Sequence, residues 1–327
     1  MARGLLAGAC LVLVGALLTG CSFGKAAAPP LDPAKEQAVQ GTYYLEQGRL
    51  DRAEADLKGA FYRDQVEDRL GGLARDYANL AALALRQGDQ ATACGYLEKA
   101  VGIQRRSGDR AALARSLAAL AAVRGEMGRQ TARFDEAAGL VGEALGLVPE
   151  PGPVRVYALN VKGWLLIQAG DAAAAQKPLT EAMAIGRMLP EAQPQIVEGR
   201  LNAATRYYLG CSLLAQGKTA EARQMIEEAL ALDRESHYPQ GIAADLTQLA
   251  AIEAAGGRLP EAFRLYERAF NIYLSLKDNR RAGLVLAELE RAGREANLEA
   301  QVLGLREQLR QVETAAPLRP QAAPQQK

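Results

Sequence analysis

Along this chain apolar residues recur at the three-to-four-residue spacing of amphipathic helices, and short polar turns containing glycine break the pattern at intervals. The stretch Leu213–Asp233, LLAQGKTAEARQMIEEALALD, shows one unit. Its first apolar run ends at Gly217, a polar turn follows, and a second helix carries Ala222 and Ala229 on one face, seven residues and so two turns apart. Related phrases surround Gly48, Gly88, Gly170 and Gly257, and a looser copy surrounds Gly128, where Arg129 to Ala132 form an insertion. Successive turn glycines lie 40, 40, 42, 47 and 40 residues apart, which is the mark of a repeat array rather than of one globular core.

Five residues after the turn glycine stands a small residue: Ala53, Ala93, Ala175, Ala222 and Ala262. Twelve after it stands another: Ala60, Ala100, Ala182, Ala229 and Ala269. In the Gly128 copy the insertion delays both, to Ala137 and Ala144. Small residues at a fixed register let antiparallel helices approach closely, so each unit predicts a helical hairpin. Leu57, Leu97, Leu179, Ile226 and Tyr266, between the small positions, are its predicted core. Glycine suits the end of the first helix because the left-handed conformation there carries no Cβ penalty. The expected fold is therefore all-α, a superhelical array of antiparallel hairpins: six over residues 34–277 and a capping hairpin over 278–312 that turns at Gly293. Proline, alanine and glutamine without apolar period predict a disordered tail over 313–327.

This pattern resembles the tetratricopeptide repeat (TPR), over roughly Lys35 to Leu276. Gly41, Gly163 and Gly210, seven residues before their turn glycines, and Leu80, Leu120, Leu209 and Leu249, one further back, also match that family. Two features depart from it. The period is near 40 rather than about 34 residues, and the proline that usually ends the second helix survives only as Pro149, so the other second helices are expected to run about a turn longer, as in a long-repeat TPR-like α-solenoid.

The first 20 residues hold Arg3, an apolar run from Leu5 to Leu18, and then Thr19-Gly20 before Cys21. That run is too short to span a bilayer and has the shape of a secretory signal peptide. LTGC resembles a bacterial lipobox. The resemblance implies cleavage before Cys21, a diacylglyceryl group on its thiol and a mature lipoprotein held by more than one acyl chain, palmitate among them. Ser22, where aspartate would mark inner-membrane retention, implies the periplasmic face of the outer membrane. Residues 21–33, with the run AAAPP, are expected to be a semi-extended spacer.

Composition narrows the function. The formal charge is +1, which offers no electrostatic reason to expect nucleic acid. The single histidine, His237, lies in a loop with no helical histidine partner for a metal. Cys94 and Cys211 fall three hairpins apart, beyond disulfide reach, and are expected to be buried and unpaired. Gly71-Gly72 and Gly256-Gly257 are expected to be helix-connecting turns. Neither catalysis nor a cofactor is expected.

The TPR resemblance implies an interaction scaffold in which the first helix of each hairpin lines a concave groove, with side chains about 13, 10, 6 and 3 positions before the turn glycine facing inward. Around Gly170 those are Tyr157, Asn160, Trp164 and Ile167, and around Gly217 they include Tyr207, Cys211 and Leu214. Aromatic anchors often dominate an interface, and Asn160 offers donor and acceptor to an extended backbone. The expected partner is thus an envelope protein or peptide held near the fourth and fifth hairpins. The groove lacks the lysine and asparagine set that clamps a C-terminal carboxylate in some family members. Similar lipoproteins serve pilus or secretin assembly; the alternatives are an accessory subunit for a cell-wall hydrolase or polysaccharide export machinery, and a peptide or small-molecule sensor.

Overall fold

The computed structural model describes residues 32–129, 134–189 and 195–315. The expected signal, Cys21 and most of the spacer lie outside these, as do the insertion after Arg129, the connection after Leu189 and the tail from residue 316. The described residues form fourteen helices and no strand, paired as hairpins. Hairpin 1 is α1 (Pro33–Glu46) with α2 (Leu50–Val66), hairpin 2 is α3 (Leu70–Arg86) with α4 (Gln90–Ser107), and hairpin 3 is α5 (Arg110–Gly128) with α6 (Asp135–Leu147). Hairpin 4 is α7 (Pro153–Gln168) with α8 (Ala172–Met188), and hairpin 5 is α9 (Gln195–Ala215) with α10 (Thr219–Glu235). Hairpin 6 is α11 (Pro239–Ala255) with α12 (Leu259–Ser275), and hairpin 7 is α13 (Asn279–Ala296) with α14 (Glu299–Ala315). Consecutive helices pack on one another throughout, which makes the chain the all-α, TPR-like solenoid that its pattern predicts.

Within a hairpin the packing follows the small residues. All ten alanines at the five- and twelve-residue positions of the regular copies are fully buried. The glycines of the first helices meet the large apolar residue of the second: a Cβ added to Gly41 would sit 2.8 Å from Leu57, one on Gly163 2.5 Å from Leu179, and one on Gly210 2.5 Å from Ile226. Truncating such a buried leucine or isoleucine to alanine costs about 2–5 kcal/mol, because the close helix pair cannot collapse into the void.

The turns reveal a finer period. Gly48, Gly88, Gly170, Gly217 and Gly257 are left-handed, and so are Asp68, Gly108, His237, Lys277 and Asn297. Gly48, Asp68, Gly88 and Gly108 follow at intervals of 20 residues, as do Gly217, His237, Gly257, Lys277 and Asn297. In the copies around Gly48, Gly88, Gly217 and Gly257 the 40-residue repeat is thus two 20-residue halves, each closed by a left-handed residue, whereas Arg129 and Val148 end the helices of hairpin 3 without one. Three glycine assignments change. Gly128 and Gly293 are helical, Gly293 because its missing Cβ lets Val302 approach, and Asn297 makes the last turn instead. Gly71 and Gly72 belong to α3 rather than to a turn. Pro149 has its expected effect: α6 has 13 residues, whereas α2, α8, α10 and α12 have 17 each.

The buried side chains form two clusters, one running from hairpin 1 through hairpin 5 to Ala244 of α11 and one from α10 to α14, which overlap at α10 and α11. The array also curves until distant hairpins touch. Arg200 on α9 pairs with Glu46 at the end of α1 at 2.7 Å, Arg280 on α13 pairs with Glu126 on α5 at 2.8 Å, and Arg86 Nη2 donates to the Leu276 carbonyl at 3.2 Å.

Candidate functional site

The inward positions of hairpins 4 and 5 come together, since α7 packs directly on α9. They form an interior rather than an open groove. Trp164 is 1% exposed and lies against Gly125 of α5, where an added Cβ would stand 2.7 Å from the indole. Tyr157, Ile167 and Tyr207 are buried as well. The donor and acceptor expected of Asn160 are engaged within the fold: its Nδ2 donates to the Leu201 carbonyl at 3.3 Å, and its Oδ1 accepts from Thr205 Oγ1 at 2.9 Å. Gln248 Nε2 donates to the Tyr207 hydroxyl at 3.2 Å, tying α11 to α9. Cys211 is buried and Cys94 only half-buried, with its thiol donating to Glu98 at 3.4 Å, a carboxylate the sequence pattern did not pair with it.

Leu214 differs. It opens on a cavity of about 380 Å³ on the inner side of hairpins 5 to 7. Leu214, Ala251, Ala254 and Tyr266 give it an apolar floor, and Glu288 and Arg291 stand at its edge. Ala251 and Ala254 occupy the inward positions six and three before Gly257, so this cavity is the part of the expected groove that remains open. The short side chains of Ala251 and Ala254 are what leave the space.

Two buried carboxylate pairs sit at equivalent places between hairpins, sixteen residues after one turn glycine and twelve before the next: Asp64 with Asp76, and Asp233 with Asp245. A glycine makes room for each, since a Cβ on Gly72 would overlap the Asp64 carboxylate and one on Gly241 that of Asp233. The first pair has arginines: Arg69 Nε lies 2.6 Å and Arg75 Nη2 2.7 Å from Asp64, and Arg75 Nε 3.0 Å from Asp76. In the second pair those two positions hold Tyr238 and Ala244. Burial pushes Asp233 up to about 8 against the opposing charge of Arg200. Asp245 is raised well above the carboxylate range by burial and then by Asp233. The repeat register carried a signal for both pairs, the recurrence of aspartate at the same offsets, that glycine and alanine spacing alone does not bring out.

Residues 201–275 match the family model of the tetratricopeptide repeat. No curated protein matches the sequence. Among solved structures, the fold is similar to a Rap protein complexed with competence and sporulation factor, at 16% identity and a TM-score of 0.54, over 86% of this chain and 94% of that one. It is similar also to aspartyl phosphate phosphatase F from Bacillus subtilis, at 9% identity and a TM-score of 0.51, over 91% of this chain and 78% of that one. The apo form of RapI, at 11% identity and a TM-score of 0.50, covers 88% of this chain and 78% of its own. At these identities the likeness is one of fold, a TPR-like array of helical repeats.

Proposed function

We propose that this chain is a lipid-anchored envelope scaffold that holds a segment of another protein on the inner wall of hairpins 5 to 7. The observation that carries the reading is the apolar cavity of about 380 Å³ beneath Leu214, Ala251 and Tyr266, of a size that takes one or two apolar side chains of a partner. A structural neighbour was solved with a factor bound, which agrees with a partner-holding role for this architecture. Of the six predicted groove residues, Leu214 meets such a partner directly; Tyr157, Asn160, Trp164, Ile167 and Tyr207 reach one only when the array opens. Cys21 supplies the tether, and Ser22 supports the outer membrane.

Ala251→Arg places a long charged side chain in the cavity. Capture of a crosslinked envelope partner should fall by about tenfold or more, the loss of one anchor contact, with helical content unchanged. Full capture by the folded variant would move the site elsewhere. Pilus or secretin assembly is the first machinery to search for that partner. For the tether, Cys21→Ala should abolish palmitate labelling and release the chain from the membrane fraction; unchanged labelling would refute the lipoprotein reading.

A further inference from the structure

Where the distant hairpins meet, a second cavity of about 230 Å³ lies between the C-terminal ends of α1 and α3 and the turn that starts α13. Its charged lining is Glu46, Arg86, Lys277, Asp278, Arg280 and Arg281. Both acids are already matched by arginine, Glu46 by Arg200 at 2.7 Å and Asp278 by Arg281 at 3.1 Å. Arg280 turns to Glu126 at 2.8 Å. Among the described residues, Arg86 and Lys277 have no carboxylate within salt-bridge distance, so the cavity carries unbalanced positive charge.

A second feature points the same way. Arg281 is 3% exposed, and its Nε is buried with no acceptor. A buried charged donor left unmatched is costly, and an acceptor arriving from the cavity would relieve that cost. The first turn of α13 adds partial positive charge at the same place, part of it taken by Asp278, whose Oδ1 accepts from the Arg281 N–H at 3.1 Å. Burial, then Arg281, also draw the pKa of Arg86 below its ordinary value against the opposing charges of Asp278 and Glu46, a direction that an added anion reverses.

We propose that this seam cavity binds a small oxyanion, a carboxylate or a phosphate group, between Arg86 and the Lys277–Arg281 turn. The guanidinium fork suits either group. At about 230 Å³ the space falls below the ~300–1,000 Å³ of pockets for drug-sized ligands, so one anionic group on a short stem fits and a nucleotide does not. The two sides of the site belong to opposite ends of the array. An occupant therefore ties α1 and α3 to α13 and holds closed the ring that covers the inner aromatic wall. The site stands independently of the partner reading, which concerns the other cavity.

Isothermal titration calorimetry of the full chain with inorganic phosphate, with a short peptide bearing a free C-terminal carboxylate and with its amidated counterpart tests the assignment. Saturable binding of phosphate or of the free-acid peptide at millimolar concentration or below, and not of the amide, is expected, and whichever binds identifies the source of the oxyanion. Arg86→Gln should weaken it by about tenfold or more, the loss of a charge-assisted hydrogen bond. Lys277→Gln alters an exposed turn residue, keeps the fold and should weaken binding about threefold. Arg105→Gln, at an exposed arginine paired with Glu143 on the outer side, should leave it unchanged. Absence of saturable heat with both anionic probes, or unchanged affinity in the folded Lys277→Gln and Arg86→Gln variants, would overturn the proposal.

Discussion

Replacing Asp245 by asparagine should stabilise this protein at neutral pH, and the gain should grow with pH. Asp245 is fully buried and Asp233 nearly so, and both oxygens of Asp245 lack a donor among the described residues. A proton shared between the two carboxyls gives them one hydrogen bond in common; losing it leaves adjacent negative charges with no arginine in contact. The native pair therefore keeps a proton to higher pH than a free carboxylate does, since burial raises Asp233 to about 8 and burial with Asp233 raises Asp245 well above its ordinary value, whereas an unfolded aspartate releases its proton near pH 4. The sign follows from the raised native pKa. The stabilisation is complete below the unfolded value and is lost progressively as pH rises above it. For one shared proton the loss is about 1.4 kcal/mol per pH unit, or roughly 3 kcal/mol between pH 5 and 7. The substituted amide stays neutral at every pH and can donate to Asp233. Urea unfolding of both proteins from pH 5 to 8.5, followed by circular dichroism and by hydrogen exchange in α10 and α11, measures the difference. A variant whose advantage does not change with pH, or that is less stable at pH 8, would refute the shared proton. Asp64→Asn supplies the contrast: it removes a carboxylate that Arg69 and Arg75 hold at 2.6 and 2.7 Å, and should destabilise by about 1–3 kcal/mol.

Other substitutions probe the repeat itself. His237→Gly, at an exposed left-handed turn, should raise stability by about 1 kcal/mol, because glycine lacks the Cβ that makes this conformation unfavourable; a lower urea midpoint would contradict the turn geometry. Ala229→Arg overpacks a site with no exposure, at a cost of at least ~1–3 kcal/mol, and the rise in hydrogen exchange should be greatest in hairpins 4 to 6. In native thiol titration the half-buried Cys94 should react and the buried Cys211, whose thiol burial pushes far up, should not; equal rates would mean that α9 opens readily.

The residues that predict this architecture act locally. A turn glycine, two alanines and the leucine between them lie within thirteen residues and decide the close approach of two neighbouring helices, so their spacing reads out as hairpins without knowledge of anything distant. Local reading misses what other residues accomplish by the same physics. Asp68, His237, Lys277 and Asn297 make left-handed turns like those of the glycines, but only the backbone conformation reveals the 20-residue half-period. The groove residues show a different boundary. The resemblance to the repeat family placed Tyr157, Asn160, Trp164 and Tyr207 on a groove-lining face, and in the structure they are buried; whether such a face is open or filled depends on how tightly the superhelix curves. That curvature comes from Gly125 receiving the indole of Trp164, from α9 occupying both polar ends of Asn160, and from Glu46 meeting Arg200 and Glu126 meeting Arg280. Each of those ion pairs joins residues 154 positions apart, a separation that no local pattern encodes, so closure of the array and the charged seam it creates are decided by tertiary structure alone.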